Sequence, residues 1–201
     1  MKKIYLLGAG GHGKVIIEMA ELSGYLIRGV FDDNENILQI LQYPVLGKFF
    51  QDKVLDDASF IISVGNNKIR KKISQSLSGP FVTITHPSAN LSSRAELGEG
   101  SVVMAGAVVN SEALVGRHVI LNSQSVVEHD CILEDFVHIS PNASLAGEVK
   151  VGEGSHIGIG ACVIQGINIG KWCTVGAGAV IIRDVPDGAT VVGNPGKIIK
   201  K

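Results

Sequence analysis

The chain has 201 residues, 45% of them hydrophobic but only 5% aromatic, with 25 glycines and a formal net charge of −1. That length allows one or two domains with real cores, and the near-zero charge removes the electrostatic case for nucleic acid or an anionic membrane surface as partner. No stretch approaches the ~20 apolar residues of a membrane span, and three cysteines at inward or strand positions (Cys131, Cys162, Cys173) give no disulfide framework, so the expected compartment is the cytoplasm.

Lys3 to Leu7 reads as a first strand, because the short apolar run at the start meets glycines at once and lacks the apolar region and cleavage site of a secretion signal. Gly8-Ala9-Gly10-Gly11-His12-Gly13 follows, then the helical spacing of Val15, Ile16, Met19 and Ala20. Strand, glycine turn and helix is an arrangement that holds phosphates, and Gly8, Gly10 and Gly13 satisfy G-x-G-x-x-G. The same glycines also serve tight packing of a strand on a helix. A second apolar run, Leu26 to Phe31, ends in Asp32-Asp33, about twenty residues on, where ribose or base contacts are expected. A third, Phe60 to Val64, ends in Gly65-Asn66-Asn67 and leads into a helix from Lys68 that carries Arg70, Lys71 and Lys72. Ligands of open parallel sheets sit outside the carboxyl ends of the strands, so these loops predict one shared site. Around eighty residues is half of a full dinucleotide fold, which points to a nucleotide or nucleotide-sugar pocket rather than a dehydrogenase.

From Leu91 to Pro186 the pattern changes. Sixteen consecutive six-residue blocks each begin with an aliphatic residue, from Leu91 and Leu97 to Val175 and Ile181. Four positions later the residue is small or modest, as in Ala107, Ala113, Ser125, Cys131 and Ala143. An amphipathic helix needs a 3.6 spacing; a strict six with recurrent glycine at the second position (Gly98, Gly116, Gly152, Gly158) is that of a parallel β-helix. Three blocks close one triangular coil, predicting about five coils and a rod roughly 25 Å long. The inward slot of Cys131 makes it core filler. The chain thus divides into an α/β Rossmann-like domain, residues 1–84, and a β-helix domain, residues 85–201.

Histidines are informative in such a rod, whose interior has little room for them. His86, before Pro87, is expected to cap the rod, while His118 and His156 occupy outward positions and read as surface residues. His129 sits in Val127-Glu128-His129-Asp130-Cys131-Ile132, flanked by acids. A histidine with a carboxylate partner is the usual general base near neutral pH, although a plain exposed turn residue fits the local pattern too. Neighbouring strand residues point oppositely, so His129 and Asp130 can touch only in a turn. His138 lies half a coil further along.

Taken together, the glycine loop at 8–13, Asp32-Asp33, Val64-Gly65-Asn66-Asn67-Lys68-Ile69-Arg70, the run from Asn122 through Glu128-His129-Asp130 to His138, and Val192-Gly193-Asn194-Pro195-Gly196-Lys197 make the whole chain resemble the bacterial sugar acyltransferases of the left-handed β-helix superfamily. The branch includes UDP-4-amino-sugar N-acetyltransferases of bacillosamine synthesis and sialic acid O-acetyltransferases. The resemblance implies a left-handed rod and a homotrimer with active sites in the clefts between rods. It also implies acetyl-CoA as the acyl donor, with no metal. By the same likeness His129 is the general base and Asp130 the acid that tunes it. Gly10, Gly11, His12, Asp32, Asp33 and Gly65 hold the nucleotide-sugar, Asn122 lies near the reaction centre, and His138 and Gly147 contact the acetyl-thioester end of coenzyme A. The tail from Pro195 to Lys201 is expected at the adenine and phosphate. Acetylation of the 4-amino group of a nucleotide-linked sugar leads; O-acetylation of sialic acid or another sugar, and a binding module with a relict pocket, are the alternatives. Loss of the His-acid pair would mark the last of these, and both residues are present.

Overall fold

A computed structural model describes residues 2–49 and 58–200. Its first part is a three-stranded parallel sheet in the order β2-β1-β5, built from β1 (Lys3–Leu7), β2 (Leu26–Phe31) and β5 (Ser59–Ile62). Helix α1 (Gly11–Leu22) connects the first two strands, a short antiparallel pair of β3 (Gln39–Ile40) and β4 (Tyr43–Pro44) follows β2, and α2 (Asn67–Ser76) follows β5. The apolar run of β1 is nearly continuous because both faces of a parallel sheet are covered. Ile4 and Leu6 pack with Ile16, Ile17 and Met19 of α1, whereas Tyr5 and Leu7 pack with Phe31 and Phe60 on the other face. The third strand ends at Ile62, short of the run Phe60 to Val64, and just beyond it the Ser63 Oγ donates to the Gly8 carbonyl at 2.6 Å. The second helix starts one residue earlier than predicted. Asn66 is its N-cap and accepts from the Ile69 N–H at 3.1 Å, satisfying a backbone donor that the helix start would otherwise leave open.

From Ile84 the chain winds into a left-handed parallel β-helix. Val108 pairs with Val126 and Val126 with Ser144, so each coil consumes 18 residues and the six-residue blocks stack in register. Block leaders and their small partners line one apolar interior, in which Val127, Leu145, Ile139 and Ala143 are fully buried. Each such aliphatic side chain contributes about 1.5–3 kcal/mol by leaving water. The rod is longer than the sixteen-block stretch suggests. Ile84–Thr85 pairs onto Val102–Val103 at one end and Thr190–Val192 onto Thr174–Val175 at the other, where Lys197–Lys200 adds an antiparallel strand. Open rungs of a solenoid leave unpaired backbone groups, and the flanking segments satisfy them. Cys131 and Cys173 are buried and Cys162 is exposed; burial pushes the Cys131 thiol up to about 11, consistent with a packing role.

The two parts share a core. Val102, Met104 and Ile120 point out of the rod, yet they are buried against β1 and α1 in the same cluster as Ile4 and Ile16. Alongside, α2 lies over one corner of the rod, where Lys71 forms an ion pair with Glu153 and its ammonium sits 5.9 Å from the Phe136 ring and 5.3 Å from the Trp172 ring. This docking corrects the reading of two histidines as surface residues. His118 is 4% exposed, packed edge-on against Phe81 and stacked on Phe136. His156 is half-buried, stacked on His138 at 4.7 Å and hydrogen-bonded to the Ser140 hydroxyl at 2.7 Å. Both do point out of the rod; the first domain's cover and a neighbouring histidine then enclose them.

Candidate active site

The three strand-end loops of the first domain meet at one edge. The Gly8 N–H donates to the Phe31 carbonyl, the Ala9 N–H to the Asp32 carboxylate at 2.7 Å, and the Ser63 N–H to the Leu7 carbonyl. The glycines do different work. Gly8 has φ +120°, and a Cβ there would stand 2.6 Å from Val64, while one at Gly13 would stand 2.7 Å from the Gly8 carbonyl. These two build the turn. At Gly10, Gly11 and Gly65 a Cβ would meet no atom within 4 Å, so the missing side chains leave open space above the start of α1. A helix N-terminus with unobstructed N–H groups is a natural anion seat. Asp32 is engaged by the loop itself, its second oxygen accepting from the Asn34 N–H at 2.9 Å; Asp33 is exposed beside it.

His12, the second residue of α1, turns toward the rod. Its buried Nε2 has no hydrogen-bond partner among the described residues, and burial together with the Arg70 charge lowers its pKa to about 4, leaving it neutral at pH 7. Across from it stands His138, 9% exposed, with the Gly65 backbone beside its ring. Burial holds His138 well below the ordinary histidine range, reinforced by His156, Arg70 and His12. Asn122 explains the tautomer. Its Oδ1 accepts from the Ser123 N–H at 2.8 Å, so its amide nitrogen faces His138 Nε2 at 3.1 Å and donates there. Neutral His138 then carries its proton on Nδ1, with the Gly65 backbone beside the ring. Gly65, His12, His138 and Asn122 therefore converge where the first domain meets the rod.

His129 and Asp130 lie elsewhere, on an open corner. Asp130 has φ +60°, a turn conformation that swings its carboxylate onto the preceding imidazole, and Nδ1 to Oδ2 is 2.7 Å. Both side chains are 56% exposed. The hydrogen bond to Asp130 raises the pKa of His129, with further support from the charges of Glu128 and Glu148. One coil on, Gly147 forms the floor of this corner: a Cβ there would stand 2.5 Å from His129 Cε1 and 2.7 Å from Nε2. The ring thus lies flat against bare backbone, with Nδ1 held by the acid and Nε2 free of any side chain beneath it. Among the described residues no hydrogen bond links this corner to the His12–His138 group, which sits on a different face of the rod.

Residues 3–77 match the model of the PglD N-terminal domain. UDP-N-acetylbacillosamine N-acetyltransferase of Bacillus subtilis is 42% identical over 113 residues, 52% of each chain, so the match spans about half the length of that relative. The acetyltransferase domain of PglB from Neisseria gonorrhoeae superposes with a TM-score of 0.94 at 42% identity, over 99% of this chain and 100% of that one. The chain belongs to the bacterial sugar acetyltransferase family. A family member from Caulobacter crescentus, PerB, solved with CoA and GDP-perosamine, has a TM-score of 0.93 at 35% identity, over 100% of this chain and 98% of that one. The PglB domain has also been solved in complex with acetyl coenzyme A. Among the described residues no helix is long and apolar enough to cross a membrane.

Three residues at the site carry no role in the sequence reading. Arg70 is one of several cations in that reading, but it is 1% exposed beneath the His12–His138 group, and burial lowers its pKa to about 9. His156 and Ser140 support His138 from the next coil and its own strand end. The 18-residue spacing between positions 138 and 156 was the available signal for that pair. The tail expected at the adenine forms the exposed strand Lys197–Lys200, and Lys201 lies outside the described residues.

Proposed function

We propose that the protein acetylates the 4-amino group of a nucleotide-linked amino-sugar, using acetyl-CoA as donor and His129 as general base. The observation that carries this reading is the His129–Asp130 pair at 2.7 Å, exposed on a glycine floor where a substrate can reach Nε2. The amine nitrogen attacks the thioester carbonyl while His129 Nε2 takes its proton, and Asp130 stabilises the resulting imidazolium. The negative charge on the tetrahedral intermediate needs a hydrogen-bond donor, and the bare backbone near Gly147 leaves an N–H open to approach. Collapse expels the coenzyme A thiolate, which takes up a proton, leaving an amide on the sugar.

The nucleotide lies on the edge formed by Gly10, Gly11, Asp33 and Gly65, with its phosphates at the start of α1. His12 and Asn122–His138 stand between that edge and the rod. In one chain the base and this edge are apart, so the reading includes a homotrimer in which a neighbouring rod supplies His129 to the cleft; the Gly147 backbone and His138 would then flank the acetyl-thioester end from the two sides. The relatives support the donor and the acceptor class: PglB binds acetyl coenzyme A, and PerB binds CoA with GDP-perosamine. A histidine-to-asparagine variant of the latter enzyme was solved with both ligands bound.

The test is release of free coenzyme A from acetyl-CoA with UDP-, GDP- and dTDP-linked 4-amino-sugars, and with sialic acid, for the native protein and His129→Ala. Turnover on one amino-sugar, abolished in the variant, is the expected result. Turnover on sialic acid alone would replace N-acetylation by O-acetylation, and a His129→Ala variant of native rate would remove His129 from the mechanism.

A further inference from the structure

Among the described residues the buried guanidinium of Arg70 has no carboxylate partner. Its five N–H groups are each used once: Nε donates to the His118 carbonyl at 2.8 Å, one terminal nitrogen to the carbonyls of Val64 at 3.2 Å and Gly65 at 3.1 Å, and the other to Phe136 O at 2.8 Å and Asn67 Oδ1 at 2.9 Å. Two acceptors belong to the rod and two to the loop that follows β5. The fifth, Asn67, extends the same clamp, its amide donating to the Gly154 carbonyl at 2.9 Å and approaching that of Ser155 at 3.3 Å. Ion-pair stability does not explain such an arrangement, since a charge removed from water without a counter-charge is costly and only its hydrogen bonds offset the loss. What the five bonds do determine is geometry: a planar fork reads five carbonyl or amide oxygens at once, which the three donors of a lysine cannot.

We propose that Arg70 is a positioning residue for acyl transfer: it clamps the Val64–Gly65 loop of the nucleotide domain to the rod carbonyls of His118 and Phe136 and so sets where a bound sugar amine meets the chemistry carried by the rod. The inference rests on the reading of this edge as the nucleotide-sugar site. Gly65 is the shared element, because its carbonyl is held by Arg70, a Cβ on it would meet no described atom within 4 Å, and its backbone lies beside the His138 ring. A shift of that loop would move the acceptor relative to His138 without removing any group from either binding surface. His12, His118, His138 and His156 all feel the Arg70 charge, which places it at the centre of the junction rather than at its margin.

The prediction is a split between binding and turnover. Arg70→Lys keeps the charge and loses the fork; Asn67→Ala leaves Arg70 in place and removes the outer half of the clamp. In both, affinities for UDP and for coenzyme A measured by calorimetry stay within about threefold of native, while kcat on the amino-sugar that the coenzyme A release assay identifies falls about 10²-fold, the cost of a reacting group misplaced by roughly 1 Å. Amide exchange at residues 64–67 rises in both variants, while that of the rod strand Ile120–Leu121 stays native. Native exchange at 64–67 in Arg70→Lys overturns the proposal, as does faster exchange with a native kcat, or a loss confined to ligand affinity. If the native protein turns over no amino-sugar, the acetyl-transfer reading fails on its own, and the exchange of residues 64–67 still decides whether Arg70 holds this loop to the rod.

Discussion

Two corners of the rod use the same local device and end in opposite chemistry. At one, the His129 ring lies over Gly147 next to Asp130 at φ +60°; at the other, His118 at φ +55° lies over Gly100 and Trp172 at φ +54° lies over Gly154. In each case a ring occupies the space that a side chain on the glycine of a neighbouring coil would fill. The second corner is roofed by α2 and Phe81, and burial lowers the His118 pKa to about 4, aided by the charges of Arg70 and Arg117. The first corner is open, and hydrogen bonding to Asp130 raises the pKa of His129. A ring on a glycine is therefore neutral framework where another domain covers it and a proton acceptor where solvent and a carboxylate reach it.

The comparison breaks most visibly if each histidine is removed in turn. His129→Ala should lower turnover about 10²–10⁴-fold, the range for loss of a general base, with an unchanged denaturation midpoint because the ring is exposed. His118→Ala should do the reverse: about 1–3 kcal/mol of stability lost in denaturant titration, reduced by removal of an unpartnered Nδ1, with turnover of the folded fraction near native. A smaller effect sharpens the role of the floor. Gly147→Ala should displace the His129 ring, since the new methyl would stand 2.5 Å from Cε1, and cost roughly 10–100-fold in turnover at little cost in stability because an exposed ring can move aside.

The pH profile separates the corners further. With His129 as the proposed base, turnover should be lost as pH falls through that residue's raised pKa, because only the neutral ring accepts the proton. Asp130→Asn removes the main cause of the rise, so the acid limb of kcat/KM should move to lower pH and the plateau should fall; an unmoved limb would separate the pair from the reaction. The smallest effect belongs to the first domain. Gly10→Ala, with no atom within 4 Å of the new methyl, should change stability by no more than about 0.5 kcal/mol, yet weaken UDP binding if phosphates occupy that space.

Much of the fold is legible because the rod repeats. An aliphatic residue every six positions, sustained from Leu91 to Ile181, admits one solution, and a carboxylate beside His129 shows in the sequence as a possible base. The extra rungs at Ile84–Thr85 and Thr190–Val192 escape that pattern because backbone pairing, not side-chain periodicity, recruits them. Likewise the three strand-end loops are recognisable in the chain, but which glycines shape the turn and which leave room for a ligand depends on atoms brought in by other segments, such as Val64 against Gly8.

His118 and His129 mark the limit. Both look like outward residues at the corners of a repeat, and local spacing holds nothing that tells a roofed corner from an open one. The amino-acid pattern by itself determined the coil, its period and its interior, because these depend on residues one block or one coil apart, whereas the contact of His129 with Asp130 waited on the left-handed φ of +60° at Asp130. Docking of the first domain decided the burial of His118, the environment of His138 and the place of Arg70, since desolvation and hydrogen bonding there come from groups as far apart in the chain as Gly65 and Phe136.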